Sequence, residues 1–255
     1  MPRIKGLPMI ALSVAVTFTI CGFQAQAHPA KKSRAYYEER DEVVWEVPMK
    51  DKLVALTFDD GPNPVTTPEI LDLLREYEAK STFFVVGRRM EKFPDVVRRE
   101  ALEGHEVANH TYSHLYLNHR FSRERLIEEL GRTEKKIFSL TGKRCPWFRP
   151  PGGFFNDNVI QIAREQGYKM VLWSWHQDTK DWSSPGTQKI VNKVLKNVRN
   201  GDIILFHDHV LGSKQTVQAL KTILPELKRR GYRMVTVSEL VQHKKSNSLL
   251  SKPAP

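Results

Sequence analysis

A chain of 255 residues with 40% hydrophobic and 27% charged content fits one globular domain of the larger single-core type, with ends that need not fold, and excludes a wholly disordered chain. The formal charge of +11 is spread along the sequence rather than packed into one Lys/Arg block. No base-reading motif accompanies it, so no nucleic-acid partner is expected, and attraction to an anionic polymer or surface is the milder inference.

Residues 1–27 read as a signal peptide: Arg3 and Lys5 make a basic start, an almost uncharged apolar run follows from Leu7, and Ala25-Gln26-Ala27 places small residues where a signal peptidase inspects them. His28 then begins the mature chain, which keeps a charge of +11 − 2 = +9. Two alternatives stay open, an uncleaved membrane anchor and lipidation of Cys21, the latter opposed by the bulky Ile20 before it. Cleavage leaves Cys145 alone, so no intramolecular disulfide forms and stability rests on the core.

Residues 28–51 are charged and irregular, a stem or N-terminal covering segment in which 43–47 offers one further strand. From 52 to 242, short β-type apolar runs alternate with longer amphipathic stretches, as in βα units around a parallel sheet. The spacing predicts strands at 53–58, 82–86, 106–109, 147–149, 170–173, 203–206 and 234–237. Helices are expected near 68–79, 90–103, 123–140, 156–166, 188–198 and 216–230, with Asn156 and Thr216 as starts and Gly104, Gly142, Gly167 and Gly231 as stops. Residues 243–255 lack a periodic apolar face and read as a disordered tail.

Every polar constellation comes just after a strand: Asp59-Asp60, His110 with His114, Arg149 to Gly153, Asp178 to Trp182, and His207-Asp208-His209. Residues from the ends of many strands converge on one mouth in a closed or nearly closed barrel, whereas an open sheet gathers them only at its switch point. A distorted α/β barrel of about seven parallel strands is therefore expected, with its active site at the carboxyl ends of the strands.

Asp60, His110 and His114 supply three oxygen and nitrogen donors for a divalent ion, leave coordination positions open, and spare Asp59 to take a proton. Four residues apart, the two histidines would share one face of a helical turn. Asp-Gly-Pro is also good turn chemistry by itself. His105 reads as structural. A histidine such as His207, at the end of an apolar strand, titrates in the range needed to protonate a departing amine, with His209 as competitor. Its carboxylate partner is Asp181 or Asp178, which spacing does not separate.

These five segments, in this order and spacing, resemble the NodB-type polysaccharide deacetylases, carbohydrate esterase family four, over residues 52–242. The resemblance implies a hydrolase that removes acetyl groups from a cell-surface or wall polysaccharide and uses one divalent metal, usually zinc, with cobalt, nickel or manganese as alternatives. It implies Asp60, His110 and His114 as metal ligands, Asp59 as general base oriented by Arg149, and His207 as general acid with Asp181 its chosen partner. It also places Trp182 and Leu205 around the acetyl pocket and the Gly152 N–H at the developing oxyanion. Many relatives carry tyrosine where this chain has Gly152, so a side-chain wall is missing there.

The expected substrate is N-acetylglucosamine in peptidoglycan, with chitin oligomers and acetylated xylan behind it. The expected protein is a secreted or wall-associated monomer, or a membrane-anchored one if the signal is retained. A catalytically silent wall-binding protein is the alternative of another class; the full set of base, ligands and acid argues against it.

Overall fold

The computed structural model describes residues 32–118 and 121–250. The expected signal peptide at 1–27, its cleavage point and residues 251–255 lie outside the described residues. All the elements fall in the compact unit that begins at Ser33.

Seven strands form one parallel path in the order β1 (Val43–Val44), β6 (Lys169–Val171), β5 (Trp147–Phe148), β4 (Glu106–Asn109), β3 (Ser81–Val85), β2 (Leu53–Asp59) and β7 (Ile203–His207). An eighth, β8 (Arg233–Met234), pairs with the start of β2. From β2 to β6 the order follows the chain, with no reversal that would make a switch point. The two ends of the path are drawn together by irregular chain: Glu46 bridges Asp202, Val47 N donates to Gly201 O at 2.8 Å, and Ser174 N donates to Ile203 O at 3.0 Å. The result is a distorted barrel closed by loops, as expected.

Every residue of β2 and β3 is buried, because both faces of the sheet are covered. Side chains alternate, so Val54, Leu56 and Phe58 face the helices while Ala55, Thr57 and Asp59 face the barrel interior. Phe58 stacks between Phe83 and Phe206 at 5.0 and 5.6 Å, packing the sheet against the outer helices. The polar end of the inward face, Thr57 and Asp59, thereby reaches the carboxyl mouth.

The outer ring contains α2 (Thr66–Glu76), α3 (Gly87–Lys92), α4 (Pro94–Leu102), α5 (Arg123–Thr141), α6 (Asp157–Glu165), α7 (Thr187–Leu195) and α8 (Gln215–Arg229), after a first helix α1 (Arg34–Glu39). Asn156 caps α6 by accepting from Val159 N at 3.0 Å, and Gly142 ends α5 in the left-handed conformation that glycine adopts at low cost. Where one helix was expected over 90–103 there are two, since Pro94 lacks an N–H and disfavours a helical residue before it. Nor does Thr216 cap a helix: α8 starts one residue earlier, and the Thr216 hydroxyl is spent on Asp181 at 2.7 Å.

The segment expected as a stem packs onto the fold from Ser33 onward. β1 pairs with β6, Trp45 is buried under the Arg34 guanidinium, and Tyr37 donates to Asp157 at 2.9 Å. The last expected strand is shorter and earlier than 234–237, because α9 (Val237–Leu250) takes over. That helix runs on to residue 250, into the segment expected as a tail. No glycine or proline interrupts it, and His243 Nε2 lies 2.7 Å from Asp51 Oδ2. Among the described residues no helix is long and apolar enough to cross a membrane.

Candidate active site

At the mouth, β2 ends in Asp59, and Asp60 turns out of the strand with φ 76, a left-handed backbone that a non-glycine residue adopts only under local constraint. The constraint comes from behind. The Asp208 carboxylate fills the notch at Gly61, where any Cβ would collide with it, and accepts from Thr67 at 2.5 Å. Asn63 fixes the next turn, accepting from Val65 N and Thr66 N at 2.8 and 3.0 Å. Burial raises the Asp208 pKa to about 7, with the Thr67 hydrogen bond opposing and the charges of Asp60 and Asp59 reinforcing it. Asp208 stood inside a quoted motif without a role; its neighbourhood to Gly61 is a tertiary fact that spacing along the chain does not carry.

His110 and His114 do not sit on a helical turn. They lie on a loop after β4 in which Thr111 and His114 have φ 65 and 61. The loop is held by side chains: Asn109 accepts from Thr111 N at 2.9 Å, and the buried Glu129 carboxylate of α5 accepts from Ser113 N and Oγ at 2.6 and 2.7 Å. This brings His114 Nε2 to 2.9 Å and His110 Nε2 to 3.4 Å from Asp60 Oδ1. One donor atom from each of the three lies within 4.8 Å of the others. His110 Nδ1 is 2.6 Å from the Arg149 carbonyl, which can only accept, so Nδ1 carries a proton and Nε2 is turned toward Asp60. Burial opposes the Asp60 charge, but hydrogen bonds from both histidines hold its carboxyl far below the usual carboxylate range. Two imidazoles and one ionised carboxylate, on few other partners, suit a divalent ion.

Arg149 is fully buried. Its guanidinium donates to Asp59 Oδ1 at 2.7 Å, Thr57 Oγ1 at 2.8 Å, and the carbonyls of Val171 and Leu172 at 3.1 and 2.8 Å. It also lies over the Phe84 ring at 4.0 Å. One residue therefore orients Asp59 through its side chain and His110 through its backbone.

Across the mouth, His207 ends β7. Its Nδ1 is 2.7 Å from Asp181 Oδ1, and its backbone N donates to Asp181 Oδ2 at 2.8 Å. Asp181, not Asp178, is thus the partner; Asp178 accepts from Lys180 N at 3.1 Å instead. Burial disfavours the charged imidazole, but the hydrogen bond and charge of Asp181, with Asp59 and Asp60, raise its pKa to about 9. His209 accepts from Asn63 Nδ2 at Nδ1, at 2.8 Å, and is no rival for that place. His105 sits at the opposite end of its strand, accepting from Ser81 N at 3.2 Å, with burial first and the charges of Lys80 and Arg99 next lowering its pKa to about 4.

Leu205 is buried two residues before His207 on the same strand face, and Trp182, next to Asp181, is 59% exposed, so it presents a ring rather than filling a core. Gly152 has φ 66, and a Cβ there would meet the Phe154 ring at 2.9 Å and the Tyr116 ring at 3.2 Å. The wall expected to be missing at Gly152 is replaced by these two half-exposed aromatics, neither of which the motifs had singled out.

The sequence profile described as polysaccharide deacetylase matches residues 46–171. A peptidoglycan-N-acetylglucosamine deacetylase of Bacillus cereus is 52% identical over 202 residues, covering 79% of this chain and 94% of that protein. The chain belongs to the polysaccharide deacetylase family. This deacetylase also superposes on the crystal structure of the Bc1960 peptidoglycan N-acetylglucosamine deacetylase in complex with 4-naphthalen-1-yl-N-oxidanyl-benzamide. The TM-score is 0.76 at 38% identity, over 81% of the deacetylase and 95% of that chain. A family 4 acetyl xylan esterase from Clostridium thermocellum in complex with a cobalt ion gives a TM-score of 0.68 at 34% identity, over 75% and 91% of the two chains.

One consequence of the His207 pairing is measurable. The alkaline limb of kcat/KM is expected near pH 9, where His207 loses its proton. In Asp181→Asn the partner charge is gone while burial remains, opposed only by the charges of Asp59 and Asp60, so that limb should move down from pH 9, with about a tenfold loss of rate at pH 8. A pH–rate profile unchanged by the substitution would remove Asp181 from this role. The pairing also stabilises the fold below pH 6.5, and this contribution is lost as pH rises through about 9.

Proposed function

We propose that this deacetylase is an exported monomer that uses zinc to remove N-acetyl groups from a wall polysaccharide, with N-acetylglucosamine of peptidoglycan as its substrate. The observation that carries the reading is one mouth holding a carboxylate oriented by a buried arginine, a three-donor metal set and a histidine paired with a buried carboxylate. The substrate rests on the 52% identity to a protein named for that activity, and export rests on the composition of residues 1–27. Chitin oligomers rank second and acetylated xylan third.

Asp60, His110 and His114 would hold the ion, which when bound polarises the acetyl carbonyl and makes water more acidic. Asp59, held by Arg149, takes the proton of the attacking water. The Gly152 N–H faces the charge that develops on the acetyl oxygen. His207, kept protonated by Asp181, gives its proton to the departing amine, because an amine anion is too poor a leaving group. Trp182, Tyr116 and Phe154 offer flat apolar faces to the sugar. Acetate and a free amino sugar are the products.

The test is acetate release by residues 28–255 from peptidoglycan and from N-acetylglucosamine oligomers, with chelator and with zinc restored. Release that chelator abolishes and zinc restores is the expected result, and faster release from peptidoglycan supports the substrate. No release from either polymer by protein that binds zinc would overturn the reading.

A further inference from the structure

Beside the mouth lies a second concavity of about 310 Å³, walled by Arg88, Arg89 and Lys92 of α3, with Phe93, Pro64 and His209 completing it. Its place is fixed by the active-site loops. Asn63 at its rim is three residues beyond Asp60, and His209 is two beyond His207. The start of α3 is fastened to the histidine loop, with Gly87 N donating to Thr111 O at 3.0 Å and Arg88 N to Tyr112 O at 2.9 Å.

Three cations share this wall, and among the described residues no carboxylate forms an ion pair with any of them. The contrast with the same side of the fold is sharp: Arg75 and Arg99 both pair with Asp72, and Arg98 pairs with Asp95. Arg89 is half-buried, and burial lowers its pKa while Asp60 and Asp208 oppose the shift and Arg88 adds to it. His209 Nδ1 accepts from Asn63, which leaves its Nε2–H as a donor for something else. A half-buried guanidinium that feels Asp60 and Asp208 only at a distance and pairs with no carboxylate, next to two more cations and a spare N–H donor, suits an anion.

We propose that this pocket is an anion subsite, which binds a carboxylate carried by the sugar next to the one being deacetylated and so selects an acidic glycan over a neutral one. It rests on the deacetylase reading above and deepens it. A peptidoglycan strand alternates N-acetylglucosamine with a lactyl-substituted sugar. The lactyl group supplies a free carboxylate where no peptide is attached, and the peptide supplies its own where one is. Chitin oligomers have none. A bidentate arginine contact fits either carboxylate.

The test compares three oligomers of equal length: neutral N-acetylglucosamine, the alternating glycan with free lactyl groups, and the same glycan with peptides attached. Each is turned over by the zinc-loaded wild type and by the Arg88→Gln/Arg89→Gln/Lys92→Gln variant. The expected result is a loss of about 10- to 100-fold in kcat/KM on an acidic oligomer, mostly in KM, with less than about twofold change on the neutral one. The acidic oligomer that shows the loss identifies the carboxylate, and salt should weaken wild-type preference but not that of the variant. An equal loss on neutral and acidic oligomers, or no loss on either acidic one, overturns the proposal.

Calorimetric binding of both acidic oligomers, in an Asp59→Asn background, separates the pocket from the chemistry. About tenfold weaker binding in the triple variant supports the subsite even if turnover is absent, and unchanged binding overturns it. Wild type that binds an acidic oligomer but releases no acetate from any of the three defeats the deacetylase reading alone.

Discussion

Asp59→Asn should lower kcat by about 10²- to 10⁴-fold while leaving one equivalent of zinc bound. The amide is nearly isosteric and its oxygen still accepts from Arg149, so the geometry at 2.7 Å survives and only the proton-accepting capacity is lost. Asp60, His110 and His114 keep their mutual arrangement, because Asp208, Glu129 and the Arg149 carbonyl hold their loops. Arg149 is left with a neutral partner, and a loss of about 1–3 kcal/mol in stability is expected from the weakened charge-assisted bond. Single-turnover kinetics, zinc content and a denaturant melt on the same preparation check the three parts. Activity within threefold of wild type would remove Asp59 as the base, and lost zinc would place it among the ligands instead. A wall-binding protein without turnover would be indifferent to the change.

Much of this site is visible in the chain because the residues that carry chemistry lie directly after apolar runs. A parallel strand buried on both faces is a continuous apolar stretch, so the first polar residues beyond it mark the mouth. That logic places Asp59, Asp60, His110, Arg149 and His207 together without any pairing being known. It fails where position depends on a loop's own path. The four-residue spacing of His110 and His114 fits a helical turn equally well, and only Asn109 and Glu129, one of them on a distant helix, make it a loop. The choice between Asp178 and Asp181 has the same character: they are three residues apart in one segment, but the Lys180 backbone, with φ 52, turns Asp178 onto its own chain and Asp181 inward. The unpaired cations of α3 do not stand out in the sequence from the rest of a diffuse charge, since ion pairing is a property of neighbours and not of composition. The helix that extends to residue 250 lacks an apolar stripe, so periodicity had no purchase on it.

Arg149→Ala should cost more stability than any other substitution at the mouth, about 3–5 kcal/mol, because it breaks a buried ion pair from one side only. Asp59, at 4% exposure, loses its counter-charge, and the Val171 and Leu172 carbonyls lose the donors that reached them. Neither water nor a neighbouring side chain can replace five fixed N–H donors without opening the barrel interior around Phe84. For a domain of this size such a loss lowers the melting midpoint by roughly 6–20 °C. Arg149→Lys keeps a charge but not the fork, so it can meet Asp59 or the two carbonyls and not all of them; its melting midpoint should fall between those of the other two proteins. Both variants should lose activity even at temperatures where they stay folded, since the same guanidinium sets the Asp59 carboxylate. The backbone carbonyl that fixes His110 remains in either, so zinc affinity should change less than turnover. A variant Arg149→Ala that melts within 2 °C of wild type would mean that the buried pair contributes little beyond what packing supplies, and that Asp59 is positioned by β2 alone.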